Sequence, residues 1–216
     1  RFHLFHGAHD PGKVKGTIEI RIHPDIREVE PGEAIKLTAS LFNQKTGHKF
    51  PSGSVEDRLV WLEVIAIDSK GNRYHVPVDK KGFKGEEYTI SSDVLAYQDM
   101  GIAKNIPDFQ GVQRDAIPSG NRIFRMPYFD PQGRMTIQQW NTASLGVDYR
   151  LGPRQTINET YTFNLPATIP PGKVKVTATL YYQLLIKSVG EFLNVPKEEF
   201  EPLKVNEYTT DFTVLP

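Results

Sequence analysis

Four of the six histidines in this 216-residue chain fall in two short, glycine-containing segments. His3, His6 and His9 lie within Arg1-Phe2-His3-Leu4-Phe5-His6-Gly7-Ala8-His9-Asp10, and His48 lies within Gly47-His48-Lys49-Phe50-Pro51-Ser52-Gly53. Neutral imidazole is the commonest protein metal ligand, and its second nitrogen needs a hydrogen-bond partner to orient the ring. The two clusters therefore point first to metal or haem chemistry. Around His48, Gly47 and Gly53 remove side-chain bulk, and Phe50 and Pro51 offer apolar contact to a porphyrin face or edge. The plainer reading is that His48 bonds backbone carbonyls of its own loop. The i, i+3, i+6 spacing of the first cluster would make a stripe on a helix, but Gly7 argues for an irregular or extended segment. Phe2, Leu4 and Phe5, interleaved with these histidines, argue against a free solvated tail. They point to a segment, residues 1–13, that docks on something apolar. Three histidines could also hold Zn²⁺ or Cu²⁺. His23 and His75, beside strand ends, have ordinary surface roles.

The rest of the composition mostly excludes. Cys is absent, which removes disulfides, thiolate catalysis, iron–sulfur clusters and a Cys-x-x-Cys-His haem attachment site. The chain holds neither a Gly-x-Ser-x-Gly elbow nor a glycine-rich phosphate loop. Asp68, Asn72 and Asp130 sit in turn sequences that local side-chain bonding explains better than calcium. Glu86/Glu87 and Glu198/Glu199 read as solvated surface, and the sequon Asn158-Glu159-Thr160 falls in mid-strand. No nucleophile–base pair can be named, so an enzyme is not expected. The 26 basic and 26 acidic residues cancel, so nothing favours nucleic acid or an anionic membrane. No apolar run approaches the roughly 18–20 residues that span a bilayer. An Arg1 start suggests a processed product, as in an exported protein, or a truncated one.

The elements that must position these groups are strands. Ile18, Ile20 and Ile22 share one face of a period-2 pattern, as do Ile35, Leu37, Ala39 and Leu41 after a Pro31-Gly32 turn. Residues 59–67 are almost continuously apolar, as expected of a central strand covered on both faces. The turn at 68–72 leads to a partner strand over 73–77. Further strands are predicted over 121–129 and 134–140. Ile157, Glu159, Tyr161, Phe163 and Leu165 face one way. So do Val174, Val176, Ala178, Leu180, Tyr182 and Leu184. One or two helical turns are expected at 189–195, a short helix at 91–97, and a last strand at 207–215. The fold class is thus all-β: an immunoglobulin-like β-sandwich with long loop insertions and at most short helices. The organisation is a histidine-rich docking segment, 1–13, and one sandwich domain, 14–216, with an insertion at about 80–120. Tyr181 and Phe42 are candidate exposed aromatics of a sugar-binding face.

These residues resemble a known family. The segment His3-Leu4-Phe5-His6-Gly7-Ala8-His9-Asp10 is similar to the His-x-Phe-x-Gly-x-His/Asn segment that ends the haem-bearing part of certain multihaem c-type cytochromes. Gly47-His48-Lys49-Phe50-Pro51-Ser52-Gly53, preceded by Asn43, resembles the Gly-His-x-Phe-Pro-Thr-Gly signature of their haem-free C-terminal β-sandwich region, with Ser for Thr. Arg58-Leu59-Val60-Trp61-Leu62-Glu63-Val64 and Asp68-Ser69-Lys70-Gly71 match its strand and turn. Ile169-Pro170-Pro171-Gly172 and Leu180-Tyr181-Tyr182-Gln183 fit more loosely. The resemblance implies a role in electron transfer. His3, His9 and His48, with His6 in reserve, would be metal ligands or their supports, and Phe5, Phe50 and Pro51 would contact the cofactor. The cofactor is haem c held by a partner chain or by a missing segment. The implied partner is a multihaem c-type cytochrome, in a larger or filamentous assembly, and the implied location is the periplasm or the cell surface. The alternative reading is an extracellular binding module for glycan or surface polymer.

Overall fold

A computed structural model describes residues 10–79, 120–133 and 135–216. In chain order its elements are α1 (Pro11–Val14), β1 (Ile18–Pro24), β2 (Glu28–Val29), β3 (Ala34–Asn43), β4 (Leu59–Ile67), β5 (Arg73–His75), β6 (Arg122–Ile123), β7 (Tyr128–Phe129), β8 (Met135–Thr136), β9 (Ser144–Leu145), β10 (Thr156–Asn164), β11 (Gly172–Gln183), α2 (Lys187–Leu193) and β12 (Leu203–Val214). One sheet has the order β1-β3-β10. The facing sheet has the order β2-β12-β11-β4-β5, with β6 also paired to β4. Every pairing in them is antiparallel except β2 with β12. The result is the all-β sandwich that the period-2 patterns predict.

Alternation builds the core directly, because successive side chains of a strand point to opposite faces. Ile18, Ile20 and Ile22 of β1, Ile35, Leu37, Ala39 and Leu41 of β3, and Val174, Val176, Ala178 and Leu180 of β11 are all buried in one cluster. Each such side chain contributes about 1.5–3 kcal/mol by leaving water. Strand β4 is apolar on both faces because both are covered. Val60, Leu62, Val64 and Ala66 enter the main core, while Leu59 and Trp61 enter a second cluster with Ile123, Ile186 and Val189. Tyr181 stacks on Trp61 there, ring centroids 5.2 Å apart. At the open side, the backbone N–H of Gly16 donates to Val205 O and the Asn206 amide donates to Ile18 O, tying the β1 edge to β12.

The ends of β4 are pinned by polar groups. Before it, the Arg58 guanidinium donates to Leu184 O at 2.6 Å. After it, Asp68 accepts from the N–H groups of Lys70 and Asn72, the Asn72 amide and the Tyr74 hydroxyl. That is the local turn bonding expected of Asp68 and Asn72.

Three expectations change in detail. The strand predicted over 121–129 is two short pieces, β6 and β7, because Pro127 has no N–H to donate and cannot continue a ladder. The strand predicted over 134–140 reduces to β8. There the Thr136 hydroxyl accepts the Gln138 N–H, and a 3₁₀ turn follows at Gln139–Asn141. The last strand is longer than predicted and starts at Leu203. The predicted helix at 91–97 and nearly all of the insertion at 80–120 lie outside the described residues.

Helix α2 is fixed at both ends of its packing. Gly190 lies so close to the Phe200 ring that a Cβ there would collide with it. Asn194 closes the helix in the left-handed region, φ 53°, a conformation a short polar side chain tolerates.

Candidate functional site

His48 sits in the connection between β3 and β4, and Asn43, the last residue of β3, organises that connection. The Asn43 side chain is fully buried. Its amide donates to Leu151 O at 3.0 Å and to His48 O at 3.2 Å. Its carbonyl oxygen accepts the Thr46 N–H at 3.2 Å and the Thr46 hydroxyl at 2.6 Å. Both amide protons and both lone pairs are used, so the group is buried without an orphan. Downstream, Phe50 and Leu151 exchange backbone hydrogen bonds at 2.8 and 2.9 Å. The Phe50 ring packs on Tyr182 with centroids 5.7 Å apart. Lys49 Nζ lies 2.7 Å from Asp148, which Arg150 also holds. Burial opposes the charged form of Asp148, but the hydrogen bonds from Arg150 and Lys49 outweigh it and hold its pKa below the usual carboxylate range.

On this scaffold the His48 ring is exposed, with Nδ1 3.0 Å from Lys49 O. A carbonyl only accepts, so Nδ1 carries the proton and the lone pair of the neutral ring is on Nε2. That bond is the carbonyl contact of the plainer reading. It is also the arrangement that orients a ligating histidine. Beside the ring is a cleft of about 300 Å³, lined by Thr46, His48, Phe50 and Pro51 from the loop, by Lys13 and Val14 of α1, and by Tyr182. Phe50 and Pro51 are buried and line it from the base of the loop. Gly53 adopts φ 81°, which favours glycine, whereas a Cβ on Gly47 would meet nothing within 4 Å. Burial pushes the Tyr182 hydroxyl up to about 12, against the pull of Arg58.

The structure thus gathers His48, Phe50 and Pro51 on one loop and sets α1 across the cleft from them. His3, His6, His9 and Phe5 lie outside the described residues. Among the described residues no group of three or more His, Asp or Glu side chains is placed to hold a metal. His75 is apart, with Nε2 2.8 Å from the Asn121 carbonyl oxygen, and His23 is exposed on β1. Tyr181 has one face taken by Trp61, and Phe42 is half-buried.

Two charged features go beyond the sequence pattern, which puts Glu159 on the core face of β10 but does not name its partner. Arg122 and Glu159, each 2 % exposed, pair at 2.7 Å inside the sandwich, with the guanidinium over Phe124 and Tyr149. At the far end of the His48 loop, Glu56 and Asp57 line a second cleft of about 480 Å³ together with Trp140 and α2. Burial, and then the negative charge of Glu56, raise Asp57 to about 6, against the pull of Arg58 and Arg125. Adjacent acids read as solvated surface, so only the packing of β8, α2 and the loop reveals them.

No protein-family model matches the chain, and no curated protein matches it. Among solved structures it is similar to a penta-heme cytochrome c552 from Thermochromatium tepidum, at 21% identity and a TM-score of 0.62. The match covers 95% of this chain and 42% of that one, so the chain spans less than half the length of the cytochrome. At that identity the likeness is one of fold. AvmM, which catalyses macrocyclization in alchivemycin A biosynthesis, matches at 10% identity and a TM-score of 0.36, over 92% of this chain and 88% of that one. The N-terminal domain of the Streptococcus gordonii adhesin Sgo0707 matches at 10% identity and 0.35, over 94% and 33%. Among the described residues no helix is long and apolar enough to cross a membrane.

Proposed function

We propose that this chain is the haem-free β-sandwich part of an exported multihaem c-type cytochrome assembly, and that His48 serves a haem anchored elsewhere. The observation that carries the reading is the state of His48. Its ring is exposed, its Nδ1 is committed to a carbonyl, and its Nε2 is left as a lone-pair donor on a loop that Asn43 holds rigid. The fold likeness to the penta-heme cytochrome, and the two motifs that resemble its class, support it. Without cysteine the chain cannot attach a c-type haem, so the macrocycle belongs to a partner or to another segment.

A haem with two histidine ligands passes single electrons and leaves no open position for a substrate, so the proposed role is electron transfer and not catalysis. His48 supplies the nitrogen. Lys49 O fixes its tautomer, Phe50 and Pro51 supply the apolar base of the cleft, and α1 carries the chain back toward the histidines of residues 3–9. In this role residues 1–13 dock against the haem-bearing partner, and the sandwich separates the haem from solvent and from neighbouring chains.

The test is an absorption spectrum with a pyridine haemochrome on the complex purified from its native source, repeated for His48→Ala and His3→Ala. Co-purifying low-spin haem c that turns partly high-spin in either variant is the expected result. A colourless preparation with no haem-bearing partner overturns the reading and moves a binding module to first place.

A further inference from the structure

The second cleft is a different kind of place from the first, and it is independent of the haem reading. Its floor is the Glu56 carboxyl group, 2 % exposed. One carboxyl oxygen, Oε1, accepts from the Gln139 side-chain amide, while Oε2 is buried with no hydrogen-bond partner among the described residues. A buried acceptor without a donor keeps its full desolvation cost, more so when charged, so such an oxygen marks a place where a donor is missing. The walls are apolar. Trp140 is 85 % exposed, and Phe192 and Leu193 of α2 are 43 % and 57 % exposed; all three line the same cleft. Exposed apolar groups gathered at one site mark a surface that meets something.

Gln139 is the cover. It is exposed, on the 3₁₀ turn, and among the described residues its amide nitrogen reaches Glu56 and, at a marginal 3.5 Å, the Ser54 hydroxyl. Rotating this side chain away gives up one charge-assisted hydrogen bond, which an ammonium group replaces in kind, and opens the carboxyl group to the cleft.

We propose that this cleft binds an amphipathic cation, an ammonium group on an apolar stem, with Glu56 as its counter-charge and Trp140 against its positive end. The chemistry is specific to that class. A carboxyl oxygen without a donor takes a charge-assisted hydrogen bond, about twice as strong as a neutral one. A cation within about 6 Å of an indole face is attracted further by the ring quadrupole. Phe192 and Leu193 take the methylene stem, and Asp57 adds a second acidic group to the lining. Arg58 and Arg125 favour the charged form of Asp57, against burial and Glu56. The same ammonium chemistry is offered by a free alkylamine and by the lysine side chain of another protein.

The experiment follows the Trp140 indole and Gln139 amide resonances of the ¹⁵N-labelled 216-residue chain. Pentylammonium chloride, 1-pentanol and Nα-acetyl-lysine methylamide are titrated in turn. Pentylammonium is expected to shift both resonances saturably, with pentanol at least ten-fold weaker. Glu56→Gln is expected to weaken pentylammonium ten-fold or more, Trp140→Leu about three-fold, and Gln139→Ala to tighten it several-fold. Saturation by the lysine derivative at comparable concentration identifies a protein side chain as the occupant, and binding of pentylammonium alone identifies a free amine. Equal binding of pentanol, or unchanged affinity in both Trp140→Leu and a folded Glu56→Gln, overturns the proposal. The exposed position of Trp140 keeps the test open if Glu56→Gln does not fold.

Discussion

The single connection between β3 and β4 has two halves that treat polar groups in opposite ways. Its first half, around His48, is neutral and complete: Asn43 spends every donor and acceptor on Thr46, His48 and Leu151. Its second half, at Glu56 and Asp57, packs two acids side by side, raises one toward neutrality and leaves an oxygen of the other without a donor among the described residues. A satisfied network fixes a group in place, whereas an unsatisfied one keeps free energy in reserve for a partner. The contrast teaches that the two ends have different tasks, the first holding a ligand atom still and the second waiting to be completed. The Arg122–Glu159 pair gives the scale between them, because there the buried carboxylate has its cation already.

The comparison can be broken from the top of that scale downward. Arg122→Met leaves Glu159 buried and alone, and is expected to cost about 3–5 kcal/mol in urea unfolding. A smaller loss means that water reaches Glu159, and the contrast with Glu56 then narrows. Asn43→Ala removes the bonds to Leu151 O, His48 O and Thr46, leaves the Thr46 N–H without its acceptor and frees the His48 loop, at about 2–3 kcal/mol by the same measurement. If it costs less than 1 kcal/mol, the knot is not what holds His48.

Asp57→Asn tests the other half, and its sign is opposite. The folded pKa, about 6, lies above the ordinary 3.8, so the native state holds this proton more tightly than the unfolded one. The stability associated with that proton is complete below about pH 4 and is lost as the pH rises through about 6. The variant is therefore expected to be more stable than the wild type at pH 7, by about 1 kcal/mol once solvent screening of this half-buried group is allowed for, and to lose the slope between pH 4 and 6. Unfolding midpoints at pH 4.5 and 7 check it, and parallel curves for the two proteins count against a strained acid pair. The smallest expected change is in His48→Ala. An exposed ring held by one bond gives less than about 0.5 kcal/mol in unfolding, so any loss of low-spin haem in the assembly is then a matter of ligation and not of folding.

What was legible in the residues follows the same division. Strands β1, β3, β10 and β11 show themselves because one face meets the core and the other meets water, and β4 because it meets apolar groups on both sides. The His48 loop is legible because glycine and proline mark a shaped connection around a histidine. The stretch from Arg122 to Leu145 is not, since its pairings are two residues long and are set by Pro127 and by the Thr136 hydroxyl more than by any apolar pattern. Glu56 is invisible for a similar reason. Its carboxyl group bonds Gln139, more than eighty positions away, and shares a cleft with a helix further still, and no local periodicity records either.

Strand β4 has one more consequence, for how the chain finds its fold. With both faces apolar except at Glu63, sliding it by one residue against β11 would exchange two largely apolar sets of side chains, and within the strand it is Glu63, turned from its place beside Arg73 into the core, that penalises the slip. The rest of the selection falls to the polar ends. Asp68 ties the far turn to Lys70, Asn72 and Tyr74, and Arg58 ties the near end to Leu184. A slipped β4 would be compact, dry inside and wrong, a trap from which the chain escapes only by opening the sandwich. The few hydrogen bonds at Asp68 and Arg58 thus act as proofreading in assembly, and weakening them should lower the yield of refolding more than the stability of the finished protein.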